Sequence, residues 1–265
     1  MIKGIIHILV FVLLTLITQI GGVIYLFSVL IIKRKKKRYR LKRFLVFASL
    51  YLFATYLVVP NTSSFISGRV QVQTNTHMRA HNFLTGLLNR NYVSKDLHES
   101  LIDIASKVNN RFHEIQLIYL DANFPFFDGF PLLPHLSHND GKKIDISFIY
   151  NDQNGIITNR KPSNSGYGVF EEPKENEFDQ TKECKEKGAW QYDYPKYLTF
   201  GVHKELSLNE KATKELVELF TQNPKVKKVF IEPHLKRRLR LSSSKIRFQG
   251  CKAVRHDDHI HVEIN

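Results

Sequence analysis

Two long apolar runs, separated by a strongly basic segment, occupy the first 60 residues. Residues 4–32 (GIIHILVFVLLTLITQIGGVIYLFSVLII) contain no charged side chain. This run exceeds the roughly 20 residues that an α-helix needs to cross a bilayer. A second run at 44–59 (FLVFASLYLFATYLVV) has 16 residues and is borderline in length. The sequence therefore predicts a two-helix transmembrane hairpin over residues 1–60.

The segment between the two runs, KRKKKRYRLKR, carries nine Lys or Arg residues and no acid. Positive charge resists translocation, so we expect this loop in the cytoplasm and both termini outside it. A basic run is also typical of nucleic-acid binding. Its position between two membrane-length runs favours the loop, so no nucleic-acid partner is predicted. A cleaved signal peptide is disfavoured because the first run is too long and lacks a small-x-small exit.

The rest of the chain predicts a polar linker over residues 61–93 and an α+β domain over 94–265. The nine basic residues of the loop account for most of the formal net charge of +14, which leaves about +5 elsewhere. Strands and helices alternate without a regular βαβ order. We predict helices at 94–112 and 207–220, the second with Ser207 and Glu210 as a capping box, and strands at 115–120, 144–150, 197–202, 226–233 and 256–264. Long surface loops are expected at 151–195.

The last strand carries an unusual group of histidines, in HDDHIHVEI at 256–264. His259 and His261 alternate with Ile260 and Val262, which is typical of a strand with one buried face. The polar side chains can then simply face solvent. The same alternation also places the two imidazoles on one side of the strand, about 7 Å apart, as a metal site requires.

A partner for these imidazoles lies upstream, in SHNDGKKIDI. Asp145 sits within an apolar strand, where a carboxylate is costly to bury unless it is paired or bound to a cation. His138 precedes it across an Asn-Asp-Gly turn signal. Three N/O ligands with an open fourth position are typical of catalytic zinc, and the chain has no CxxC pair for a structural site. Taken separately, His138 is also compatible with an exposed loop histidine and Asp145 with a salt-bridged strand residue.

SHNDGKKIDI followed by HDDHIH resembles the penicillin-insensitive murein endopeptidases, relatives of lysostaphin-type enzymes, D-Ala-D-Ala metallopeptidases and Sonic hedgehog. The resemblance runs from about residue 94 to the end, with strong matches in two short blocks. It implies a zinc peptidase domain with a central, largely antiparallel sheet. It also implies Zn²⁺ on His138, Asp145 and His261, with His259 and His256 as catalytic imidazoles or as supports behind the ligands.

The same resemblance implies peptidoglycan peptides as partners and D-Ala to meso-diaminopimelate bonds as substrate. The expected location is the bacterial inner membrane, with the catalytic domain on the periplasmic side. Residues 151–195 match the family poorly, and a membrane hairpin is foreign to its soluble periplasmic members. The alternatives are a D-Ala-D-Ala carboxypeptidase, another cell-wall peptidase of this group, or a catalytically inactive zinc-binding scaffold module.

Several smaller points stay open at the level of the sequence. Asp257 and Asp258 are compatible with carboxylates that orient imidazole N–H groups and with solvated turn residues. Glu263 has no assigned role. The only two cysteines, Cys184 and Cys251, form a disulfide only if their Cα atoms lie close enough. Nothing in the sequence indicates an oligomeric state.

Overall fold

The computed structural model describes residues 2–34 and 37–265, so Lys35 and Lys36 of the basic loop lie outside the described residues. Its α-helices are α1 (Ile2–Thr18), α2 (Gly21–Ile31), α3 (Tyr39–Phe53), α4 (Val59–Ser67), α5 (Phe83–Leu87), α6 (Lys95–Arg111), α7 (Gln180–Glu186), α8 (Glu210–Gln222) and α9 (Pro233–Arg238). Its strands are β1 (Arg69–Gln71), β2 (Met78–Ala80), β3 (Tyr92–Ser94), β4 (Leu117–Asp121), β5 (Lys143–Ser147), β6 (Tyr150–Asn151), β7 (Ile157–Thr158), β8 (Ser207–Leu208), β9 (Val226–Phe230), β10 (Ile246–Arg247) and β11 (His259–Ile264). A π-helical turn joins α3 to α4, and a 3-10 helix spans Trp190–Leu198.

The chain divides into two compact units. The first runs to Val72 and also contains Phe83–Lys95 and Ala122–Gly141, and the second contains Gln73–Asn82, Asp96–Asp121 and Lys142–Asn265. The boundaries at residues 60 and 93 stay predictions. The predicted linker is not structureless, because β1, β2, α5 and part of β3 lie within it.

In the first unit, the predicted first span is two helices instead of one. The chain breaks at Gln19, whose φ is 66°. At the start of α2, a Cβ on Gly22 would lie 2.0 Å from Thr15 Oγ1, so only glycine allows α2 to approach α1 this closely. Apolar composition does not reveal such a turn. The two-helix hairpin is therefore not confirmed.

The predicted second span, 44–59, lies within a helical segment of the first unit that is long and apolar enough to cross a membrane. Among the residues that the structure describes, Tyr39–Ser67 is the one helix that meets this test, with 29 residues and a mean hydropathy of 1.7. Length and composition alone support it. Large apolar side chains on α1, α2 and α3 are exposed. Examples are Leu9, Leu30 and Phe44, which are 62%, 71% and 63% exposed.

The second unit is built on a six-stranded sheet of order β10-β9-β11-β5-β4-β2. The three inner pairs, β9–β11, β11–β5 and β5–β4, are antiparallel, and the two outer pairs are parallel. The mixed α+β architecture is confirmed, and the sheet is largely antiparallel as expected. Strand β11 lies between two neighbours, and Ile260 and Val262 are fully buried.

Local patterns located most elements of the second unit correctly. Helix α6 buries its predicted apolar face, with Leu97, Leu101 and Ile104 inaccessible to solvent. Helix α8 is also present, but its N-cap is Asn209, whose side chain accepts from the Ala212 amide at 2.9 Å. The predicted capping box was wrong because Ser207 belongs to β8. The strand predicted at 197–202 was wrong as well: this segment ends a 3-10 helix and keeps one isolated bridge, Ser163 to Val202.

Cys184 and Cys251 form a disulfide, with their Cα atoms 5.1 Å apart. The bond joins α7 to the loop just before β11. It closes a chain separation of 67 residues, for which loop entropy predicts a stabilisation of about 4 kcal/mol. The disulfide thereby links the segment 151–195 to the loop that precedes the histidine segment.

Candidate metal centre

The register of β11 and β5 places Asp145 opposite His261 in the middle of the sheet. Directly paired residues project from the same face, and His259 shares that face by alternation. All three side chains are buried, at 1% exposure for Asp145 and 2% for each histidine. The histidines therefore do not face solvent, which removes the simpler interpretation of the alternating pattern.

Asp145 is surrounded by polar groups. Its Oδ1 lies 2.8 Å from His261 Nδ1 and 3.7 Å from His259 Nε2. Its Oδ2 accepts a hydrogen bond of 2.9 Å from the Tyr167 hydroxyl. On the other side, its register partner is Asp121 of β4, which is 4% exposed. Two buried carboxylates beside imidazoles form an environment that favours a cation.

Asp258 fixes the orientation of the His259 ring. Its carboxylate contacts His259 Nδ1 and accepts from the Gly168 amide. An imidazole that donates from Nδ1 presents Nε2 to the Asp145 side. Burial lowers the pKa of His259, but the carboxylates of Asp258 and Asp145 outweigh it and raise the pKa to about 9. Asp258 is thus an orienting acceptor, not a solvated turn residue.

The third histidine of the segment completes a cluster of imidazoles. The ring centroid of His256 lies 5.0 Å from that of His259 and 5.7 Å from that of His261. Its amide donates to Glu232 at 3.0 Å. Glu263, which had no assigned role, lies 3.4 Å from Lys227 in an ion pair at the far end of β11. Glu263 is thus engaged in an ion pair with a lysine of the neighbouring strand β9.

A buried ionic network supports this segment from behind. Arg255 is 1% exposed and pairs with the fully buried Asp257 and with Glu172. Its guanidinium also lies 4.1 Å from the centroid of the Phe170 ring. Removing one partner of a buried ion pair costs about 3–5 kcal/mol, because the other charge is left uncompensated. The network therefore holds the loop before β11 in place.

Two further histidines, His135 and His138, precede Asp145 in the chain. His138 is 1% exposed, and its Nδ1 lies 2.8 Å from the Ala122 carbonyl oxygen. A ring that donates from Nδ1 presents Nε2 as its coordinating nitrogen. The ring of His135 lies 5.5 Å away, centroid to centroid. His138 is thus not the exposed loop histidine that the sequence left open.

His135, His138 and Asp145 form a group that can hold a metal ion. Their ligand atoms all lie within 4.8 Å of one another. Imidazole nitrogen and carboxylate oxygen are zinc ligands, although the same donors also suit iron and manganese. This group contains His138 and Asp145 of the predicted ligand set, with His135 where the prediction has His261.

The structure also adds residues that sequence reasoning missed. His135 lies only three positions before His138, and this short spacing between two histidines was the one signal in the sequence that indicated it. Tyr167 comes from the segment predicted as surface loop, and no motif marks it. Only the tertiary structure brings its hydroxyl to Asp145.

Comparison with protein-family models found no matching family, and comparison with curated protein sequences found no significant relative. The family resemblance therefore depends on the two motif blocks and on the site they build. The roles of the individual residues stay predictions.

Proposed function

We propose that this chain is a membrane-anchored zinc metallopeptidase that hydrolyses peptide cross-links of peptidoglycan. The observation that carries the proposal is the buried Asp145, which lies within ligand distance of histidines from two different motifs. A carboxylate in such a position costs folding free energy unless a cation or a donor compensates it. The reaction class and the D-Ala to meso-diaminopimelate bond come from the motif resemblance.

In this proposal His138, Asp145 and His261 hold the metal. Imidazole nitrogen and carboxylate oxygen would supply the ligand atoms. His261 Nδ1 lies 2.8 Å from Asp145 Oδ1. His259 Nε2 is farther from the same oxygen, at 3.7 Å, and its Nδ1 contacts Asp258. This geometry supports His261 as the ligand and His259 as the catalytic imidazole, with His135 as the alternative third ligand.

A zinc ion held by these residues would make bound water more acidic and would polarise a carbonyl group. The protein supplies the proton transfers. His259, oriented by Asp258, can accept a proton at Nε2 only as the neutral imidazole, a form that a cation held at Asp145 would favour by opposing the charge of the carboxylates. It would then take a proton from the attacking water and deliver it to the leaving amine. His256 stabilises negative charge that develops on the carbonyl oxygen. Tyr167 holds the orientation of Asp145 through its hydroxyl.

Metal content and turnover together test this function. We expect the full chain, purified in detergent, to bind about one zinc per molecule and to cleave purified cross-linked muropeptides at the bridge. Mass analysis of the products distinguishes this bond from a terminal D-Ala, whose release would indicate the carboxypeptidase alternative. Bound zinc without any cleavage would indicate the inactive scaffold. A chain that binds no metal and cleaves nothing would contradict the proposal.

We also propose that the second unit lies outside the cytoplasm of a bacterial cell, with the inner membrane crossed by the N-terminal helices. The Cys184–Cys251 disulfide supports this location, because such bonds persist in oxidising compartments. The open apolar side chains of the N-terminal helices agree with a lipid environment.

Thiol labelling tests this location. When whole cells are denatured without reductant in the presence of an alkylating reagent, we expect no labelled thiol, since the chain has only two cysteines. After reduction, both should be labelled. Two reactive thiols in the unreduced sample would place the domain in a reducing compartment.

A further inference from the structure

A basic pocket lies in the second unit around the side chain of Lys161. Its volume is about 230 Å³, and we call it the Lys161 pocket. Its lining includes Arg79, His81, Arg160, Lys161, Asn164 and His203. The described lining contains no carboxylate. The exposed Glu205 pairs with Arg160 from outside the lining, so positive charge predominates in the pocket.

Lys161 is the most unusual residue of the pocket. It is 5% exposed, its Nζ donates to the Phe148 carbonyl at 2.8 Å, and it lies 5.6 Å from the Tyr150 ring centroid. An ammonium group has three N–H donors, and burying it is costly. Burial and the charge of Arg79 lower the pKa of Lys161 to about 7. The fold keeps this buried amine in the same pocket as a guanidinium, although the guanidinium destabilises the charged form of the amine.

His81 experiences the same repulsion. Its Nε2 lies 3.2 Å and 3.1 Å from the carbonyl oxygens of Ser163 and Asn164. Burial, followed by the charge of Lys161, lowers the pKa of His81. Mutual repulsion of this kind marks functional sites, because a ligand of opposite charge relieves it. An anion is the ligand that stabilises every basic group in the pocket.

The pocket lies close to the candidate metal centre along the chain. Asn164 lines the pocket, and three residues later the Tyr167 hydroxyl donates to Asp145. Three residues span at most about 11 Å. With the tyrosine side chain and its hydrogen bond included, the pocket lies within about 20 Å of Asp145, a distance that about six residues of an extended peptide span.

We propose that the Lys161 pocket binds a carboxylate of an acidic peptide substrate, at most about six residues from the bond that is cleaved. The pocket is smaller than the roughly 300–1,000 Å³ of typical small-molecule sites, so it suits one carboxylate-bearing group and not a sugar unit. The assignment to a peptide rests on the proposed peptidase function. Binding of a carboxylate does not.

Anion binding is tested on the full chain in detergent, by thermal unfolding in sodium acetate and in sodium chloride at equal ionic strength. Acetate should raise the Tm of the wild type relative to chloride, as a ligand of the folded state does. Lys161→Met should abolish this increment without lowering the Tm in chloride, because it removes a buried charge. Arg79→Gln should reduce the increment. Lys107→Met is the control, since Lys107 is exposed on α6. Equal increments in all four proteins would overturn the proposal.

The substrate assignment is tested with two muropeptides that differ only in free or amidated side-chain carboxylates. The wild type should have a KM about 10- to 100-fold lower for the free acid and a similar kcat. This ratio corresponds to the free energy of one hydrogen bond to a charged group. Lys161→Met should lose this difference. Equal KM values in the wild type would overturn the substrate assignment. If the wild type cleaves neither peptide, the peptidase function fails, and the acetate comparison still decides whether the pocket binds a carboxylate.

Discussion

Asp145→Ala should abolish both metal binding and turnover. Asp145 and His138 belong both to the observed ligand group and to the proposed ligand set, and Asp145 is the one carboxylate in each. Its loss leaves imidazoles without the carboxylate that balances a divalent cation, so we expect substoichiometric zinc and a fall in kcat/KM on the order of 10⁴-fold. Zinc is measured by elemental analysis of the purified chain and turnover by muropeptide digestion. Asp103→Ala, an exposed change on α6, is the control and should leave both unchanged.

The third ligand is decided by the same measurement on two further variants. If His261 holds the metal, His261→Ala loses zinc while His135→Ala retains it. The reverse outcome would show that the ligand group within 4.8 Å is the actual site and would correct the assignment of His261. Zinc at wild-type occupancy in His138→Ala and in Asp145→Ala alike would contradict the metal site itself.

His259→Ala should separate chemistry from metal binding. Its Nδ1 contacts Asp258, and its Nε2 is farther from Asp145 than the His261 nitrogen is. We therefore expect zinc near the wild-type level and a loss of turnover of about 10²–10⁴-fold, the range of general acid–base catalysis. His256→Ala should behave in the same way.

Asp258→Asn is the matched test of how His259 is oriented. The amide keeps the size of the side chain and loses the charge that stabilises the imidazolium form. Turnover should fall less than in His259→Ala, with zinc unchanged. If His259→Ala instead empties the site of zinc, the roles of His259 and His261 are exchanged, although the enzyme class is retained.

Local sequence patterns predicted many of the helices and strands of the second unit. The apolar spacing of Leu97, Leu101 and Ile104 predicts α6 because a helix repeats every 3.6 residues. The alternation of His259 to Ile264 predicts β11 for the analogous reason. Both patterns arise from the elements' own periodicity and need no knowledge of the remaining fold. Helix boundaries were less accurate: Asn209 and Ser207 are both good N-cap residues, and the pairing of β8 with β6 decides between them.

The N-terminal region shows a different limit. Residues 4–32 are apolar throughout, and composition predicts only that they avoid water. Whether they form one helix or two depends on the turn at Gln19 and on the close contact that Gly22 permits. This contact is made between two helices, so it cannot be predicted from the number of apolar residues in either one.

The sequence by itself determined the chemistry that the site can offer. Imidazoles in one strand, a carboxylate within another and a histidine before a turn signal were visible as residue types with suitable spacing. Which of them meet was decided by the tertiary structure. The register of β11 against β5 pairs His261 with Asp145, and a loop without any motif carries Tyr167 to the same carboxylate. Spacing acts over a few residues, whereas these contacts join positions 116 and 22 residues apart. Only the packing of the whole sheet brings such distant positions together.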